Sequence, residues 1–149
     1  MAGLFGKYTV SLDPKGRLAI PTRHRNLFPK DQQDKIVITR GVDSCITGYY
    51  YDKWEEFKEK ISTVNRSYID KMTMKREFIG RSVVSTFDKL GRITLPADLI
   101  RHAQLSDCSE VYVMGCEDVI EIWNPELYEA KRDEAEKIVQ TVMSEISID

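Results

Sequence analysis

Polar and apolar residues alternate from Phe5 to Leu12, with Tyr8, Val10 and Leu12 on one face, and this period of two predicts a strand. Asp13-Pro14-Lys15-Gly16 then carries the signature of a type I turn: Asp at the first position, Pro preset at the second and Gly at the fourth. The chain is expected to return as a second strand, Arg17 to Ile20, in which Leu18 and Ile20 face inward and Arg17 and Ala19 outward. Pro21 ends that strand and suits the start of a short helix over residues 22–28. Strands follow at 36–39 and 45–51. Asp52 with Glu55 three residues on has the form of a capping box opening a helix whose buried stripe is Trp54, Phe57, Ile61 and Val64. Tyr68, Ile69 and Met72 predict one more helix.

The second half repeats this order. Strand 81–87, turn Asp88-Lys89-Leu90-Gly91, strand 92–95 and short helix 96–104 are followed by strands at 111–114 and 119–123. A last helix opens at Asn124-Pro125, with Leu127, Ala135, Ile138, Val142 and Ile146 along one stripe. The centre of the likeness is a nonapeptide. Asp13-Pro14-Lys15-Gly16-Arg17-Leu18-Ala19-Ile20-Pro21 and Asp88-Lys89-Leu90-Gly91-Arg92-Ile93-Thr94-Leu95-Pro96 both read Asp-x-x-Gly-Arg-apolar-x-apolar-Pro, and they begin 75 residues apart. The chain reads as a tandem duplication. Halves of about 75 residues are marginal as independent units, which favours repeats that interleave around one core.

Composition changes the picture little until it is divided. The 149 residues are 42% hydrophobic and 31% charged, with a net charge of −2. Residues 1–75, however, hold 14 lysines and arginines against 9 carboxylates, net +5, whereas residues 76–149 hold 8 against 15, net −7. Such asymmetry fits one basic surface for a polyanion. Cys45, Cys108 and Cys116 form no Cys-x-x-Cys pair, and His24 and His102 do not complete a zinc spacing, so neither a disulfide framework nor a metal or cofactor is expected. No run approaches the roughly 18 apolar residues of a membrane span, and a cytoplasmic protein with no membrane partner is expected.

Within the repeat, Asp13, Gly16, Asp88 and Gly91 have the chemistry of turn formers. Paired aspartates on a pseudo-dyad could share a proton, but neither is followed by the small Thr/Ser-Gly of such a catalytic site, so no enzyme and no small-molecule substrate is expected. Arg17 and Arg92 are different. Each stands outward just past a tight turn, where a guanidinium can make bidentate contacts to phosphate or to a guanine edge. Lys15 and Lys89 lie inside the turns, and Arg23 and Arg25, with His24 between them, add charge close to the first copy. The first copy, in the basic half, is therefore expected to make the main contact.

Gly6-Lys7-Tyr8, Leu12-Asp13-Pro14-Lys15-Gly16-Arg17 with Ile20-Pro21, Gly41-Val42-Asp43 with Trp54, Asp88-Lys89-Leu90-Gly91-Arg92 with Leu95-Pro96, and Glu121-Ile122-Trp123 together resemble the MraZ family. These are bacterial transcriptional regulators built from two SpoVT-AbrB-type repeats. The resemblance runs from Phe5 to about Ala135. It implies a β-rich α+β fold in which the duplicated repeats form a swapped-hairpin β-barrel with peripheral helices. The repeats would span 5–51 and 81–124, with connecting helices at 52–80 and a C-terminal helix at 125–149. It further implies repression of the division and cell-wall gene cluster, the protein's own promoter included, by a ring-like homo-oligomer bound to short direct repeats in double-stranded DNA at the nucleoid. The DNA-binding elements of the family map onto Asp13, Lys15 and Arg17 and onto Asp88, Lys89 and Arg92. Two departures stand out: His24 takes a place usually aromatic or aliphatic, and Ile100 stands where Arg25 stands in the first repeat, with Arg101 just beyond. A protein-interaction module of the AbrB-like antitoxin kind is the rival class.

Overall fold

The computed structural model describes residues 3–146. The first half comprises strands β1 (Leu4–Ser11), β2 (Arg17–Ala19), β3 (Lys35–Arg40) and β4 (Ile46–Tyr49), with helix α1 (Thr22–Arg25) after β2 and helices α2 (Tyr51–Thr63) and α3 (Tyr68–Met74) after β4. The second half supplies β5 (Val83–Thr86), β6 (Arg92–Thr94), α4 (Ala97–His102), β7 (Glu110–Glu117), β8 (Ile120–Trp123), α5 (Pro125–Ala130) and α6 (Arg132–Glu145).

The halves interleave. Six strands form one antiparallel sheet in the order β1-β7-β8-β4-β3-β5, and β2 pairs only with β6 in a separate two-stranded ribbon. Each repeat thus lends its first strand to the other: β1 lies along β7 and β5 along β3. A pseudo-twofold axis between β8 and β4 relates the halves. The expected hairpin of β1 with β2 is not a paired ribbon, because the chain leaves the sheet at the turn and pairs across the axis instead. Nor is a barrel closed. β2 and β6 are three residues long and satisfy each other, so the large sheet stays open with β1 and β5 as its edges.

This swap follows from the apolar pattern. Leu18 and Ile93 face each other in the β2/β6 ladder and are almost wholly buried, together with Ile36, Ile38, Ile46, Leu99, Val111, Val113, Ile120 and Ile122. Neither repeat alone owns enough of these side chains to enclose a core, whereas together they make one continuous cluster. Trp54, Phe57 and Tyr49 form a second cluster that fastens α2 to the sheet.

Three helix expectations change. Helix α2 begins at Tyr51, one residue before the predicted cap. Tyr50 is drawn into the core, and Gln32 Oε1 accepts the Asp52 N–H at 3.0 Å, so a side chain from another element replaces the capping box. Helix α3 runs on into a π-helical turn, Lys75–Ile79, and Tyr68 and Ile69 at its start are exposed. The last helix breaks at Lys131. Asn124 caps α5 by accepting the Leu127 N–H, but α6 projects with its apolar stripe unburied; the end of the predicted 125–149 helix, residues 147–149, lies outside the described residues.

Candidate nucleic-acid interface

The two nonapeptides build one surface. In each turn the aspartate carboxylate organises the loop: Asp13 Oδ1 accepts the backbone N–H of Lys15 (2.9 Å) and of Arg17 (2.8 Å), and Asp88 Oδ1 accepts those of Leu90 (2.9 Å) and Arg92 (2.8 Å). The glycines sit at positive φ, +78° at Gly16 and +75° at Gly91, where a Cβ is strained. Their carbonyls then lock the turns to each other, since Gly16 O accepts from Leu95 N (2.8 Å) and Gly91 O from Ile20 N (3.1 Å). The motif therefore closes a fold across the pseudo-axis as well as turning the chain.

Asp13 Oδ2 accepts Arg17 Nε at 2.7 Å, and Asp88 Oδ2 accepts Arg92 Nε at 2.8 Å. The carboxylate takes only the Nε side of each guanidinium, and among the described residues the terminal Nη groups make no hydrogen bond. In the ladder Arg17 stands opposite Thr94 and Arg92 opposite Ala19, so both arginines lie on the outward face of one ribbon, on a diagonal that sheet geometry sets at about 7–8 Å. Ala19 and Thr94 between them are small. The surface offers two aimed guanidiniums on a flat, narrow strip.

The same contacts hold both carboxyl groups below the ordinary aspartate range. For Asp13 the backbone N–H of Arg17 is the largest cause; desolvation opposes it, and the Arg17 guanidinium reinforces it. Asp88 follows the same order with Arg92.

Lys15, Arg23 and Lys89 are exposed and have no ion pair among the described residues. Lys89 is not the structural equivalent of Lys15. The residue whose N–H completes the second turn is Leu90, so Lys89 matches Pro14, and the position of Lys15 is filled by an exposed leucine.

The swap also reassigns the neighbourhoods. Arg25 lies behind the second turn: its guanidinium sits 4.2 Å from the centroid of Phe87, donates from Nη2 to Gln33 O at 3.2 Å, and places Nη1 3.1 Å from where a Cβ on Gly91 would stand. Ile100, at the matching position of α4, comes equally close to Gly16. Each short helix thus props the opposite turn. The departure at this position becomes intelligible, because a prop can be a flat cation over an aromatic ring or an aliphatic side chain. His24, expected among the surface charges, is wholly buried like its counterpart Leu99; its Nε2 donates toward Phe5 O (3.0 Å) and Gly6 O (3.2 Å), and its ring meets Tyr8 edge-on. Behind the first turn, Asp98 is taken up by Arg81 at 2.9 Å, a partner the sequence did not reveal; the approach of Arg101 is longer, 3.9 Å.

A family model described as "MraZ protein, putative antitoxin-like" matches the chain twice, over residues 4–77 and 78–143. A protein of Thermomicrobium roseum named "Transcriptional regulator MraZ" is 38% identical over 128 residues, which is 86% of each chain. The repeat boundary of the family model falls between the two halves that the strand exchange joins, and the match takes in both Asp-x-x-Gly-Arg turns. The chain belongs to the MraZ family.

Proposed function

We propose that the protein is a sequence-specific DNA-binding transcriptional regulator that uses the outward face of the β2/β6 ribbon. The observation that carries this reading is the pair of arginines, Arg17 and Arg92, held by aspartates on their Nε side with their Nη ends unengaged. That end of a guanidinium makes bidentate hydrogen bonds to phosphate oxygens or to guanine O6 and N7, and a two-stranded ribbon fits the major groove. Lys15 and Lys89 contact the flanking backbone, Arg23 extends the basic edge, and Arg25 supports the second turn from behind. Asp13, Gly16, Asp88 and Gly91 set the geometry.

The name of the Thermomicrobium roseum relative supports a role in transcription. The net charge of −2 is compatible with it, since screening beyond about 10 Å leaves DNA responding to the local basic ribbon more than to the acidic helices. In this reading the protein represses its own promoter and the division and cell-wall genes beyond it. A ring-like homo-oligomer presents several ribbons to short direct repeats, which multiplies a modest contact through effective concentration. The protein works in the cytoplasm, at the nucleoid.

The test is retardation of a DNA fragment from upstream of the protein's own gene. Arg17→Ala abolishes or strongly weakens the complex while the circular dichroism spectrum stays that of the wild type. Unchanged retardation by a folded Arg17→Ala protein removes that residue from the interface.

A further inference from the structure

The outward face of the β2/β6 ribbon carries four side chains. Leu18 and Ile93 point into the core, so the period of two leaves Arg17 and Ala19 outside on one strand and Arg92 and Thr94 on the other. The ladder sets Arg17 opposite Thr94 and Ala19 opposite Arg92. Each arginine therefore has one small cross-strand neighbour, with Cβ atoms about 4.5–5.5 Å apart. The pseudo-axis exchanges the two arginines, which are alike. It also exchanges Ala19 with Thr94, which are not.

Threonine is a common strand residue and needs no further role at most such places. Here its surroundings leave it one. Thr94 is exposed, and its hydroxyl makes no hydrogen bond among the described residues. Its backbone is held separately, because the Thr94 N–H donates to Ser85 Oγ at 3.3 Å. The first repeat has Val10 where the second has Ser85, so no such tether exists for Ala19, which is also exposed and offers only a methyl group. Lys15 and Leu90 break the symmetry too, but at the flanks, where a phosphate contact carries no sequence information.

We propose that Ala19 and Thr94 read base identity beside the arginines, and that their difference fixes which way round the ribbon takes its DNA site. This rests on the DNA-binding reading above. Beside Arg17, the Thr94 hydroxyl selects a base edge that hydrogen-bonds; beside Arg92, the Ala19 methyl selects a thymine methyl. A ribbon with true twofold symmetry binds any duplex equally well in two opposed orientations. This one has a single favoured orientation.

The test changes the base pairs of the promoter site one at a time, once footprinting has located it, and titrates each duplex by fluorescence anisotropy. The proteins are the wild type, Thr94→Ala, Ala19→Thr and the exchanged double variant A19T/T94A. Wild-type preferences are expected to differ between the two halves of the site. Each single variant makes the halves alike, and the double variant swaps them. Loss of the Thr94 hydroxyl shifts the preference at the base pair beside Arg17 about fivefold, the low end for one base pair. Thr94→Val keeps the branched shape and strand propensity while deleting the hydroxyl, so it follows Thr94→Ala even where alanine loosens the strand. Equal preferences in the two wild-type halves overturn the proposal, and so do unchanged preferences in a folded double variant. If binding in those cases still depends on Arg17, the DNA-binding reading stands without this inference, whereas an Arg17→Ala protein that binds like the wild type removes both.

Discussion

In the proposed interface the first turn presents two cations, Lys15 and Arg17, and is propped by Ile100 of a helix that also carries the acid Asp98. The second offers Arg92 with Lys89 one place earlier and Leu90 at the tip, and is propped by Arg25 of a helix that also carries Arg23. Read along the chain, the first copy owns the basic helix. Read across the pseudo-axis, the second does. Equal scaffolding therefore carries unequal chemistry: the aspartate–arginine clasp is the same in both, while tip and background differ in opposite senses. The expectation that the first copy dominates stands beside a proposed alternative, two comparable contacts with different accents, and the two differ in what they predict.

The largest effect concerns the shared part. Arg17→Ala and Arg92→Ala should each weaken binding to the promoter fragment by about 1–3 kcal/mol, as for a lost bidentate contact, and by similar amounts. Fluorescence anisotropy titrations of the single variants decide the matter, and a tenfold larger loss for Arg17→Ala would restore the dominance of the first copy. Exchanging the tips comes next. Lys15→Leu should lower the slope of log affinity against log salt by about 0.9 and Leu90→Lys should raise it by the same amount, if each lysine reaches one phosphate.

Smaller still is the prop. Arg25→Ala removes a cation over Phe87 and a hydrogen bond to Gln33, and should cost about 1–2 kcal/mol in thermal or denaturant unfolding. Ile100→Ala tests the matching position behind Gly16. The least effect is that of pH. Because the folded-state pKa values of Asp13 and Asp88 are depressed, their contribution is complete above the ordinary aspartate value and is lost as pH falls through the lower folded values. Amide exchange at Arg17 and Arg92 should therefore stay protected to below pH 4, roughly the unperturbed value, and then open in both turns together.

Much of this was legible in the residues. Strand positions followed from period-two alternation, and the turns from Asp, Gly and Pro at fixed offsets, because those signals are local. The partner of each strand was not, since nothing in Arg17-Leu18-Ala19 says whether it folds back on β1 or crosses to β6; the resemblance to a family supplied the exchange, though not the open sheet. Arg25 and His24 show the same limit. Only the exchange puts Arg25 behind the opposite turn, whereas the one signal for the burial of His24 was its standing at an apolar place, matching Leu99 of the second repeat. Pairing Lys15 with Lys89 rested on shared charge alone; the repeat itself sets Lys89 against Pro14, and the N–H that fills the second turn belongs to Leu90. The stripe on α6 was read correctly as a pattern, but a pattern names no partner.

The central claim is that the paired guanidiniums of one cross-repeat ribbon meet DNA. Its most direct test is the salt dependence of promoter binding by the Arg17→Ala/Arg92→Ala double variant beside the wild type. If both arginines neutralise phosphates, the double variant binds more weakly at every salt concentration and its log–log slope is shallower by about 1.8. Affinity and slope unchanged in a folded double variant would contradict the account.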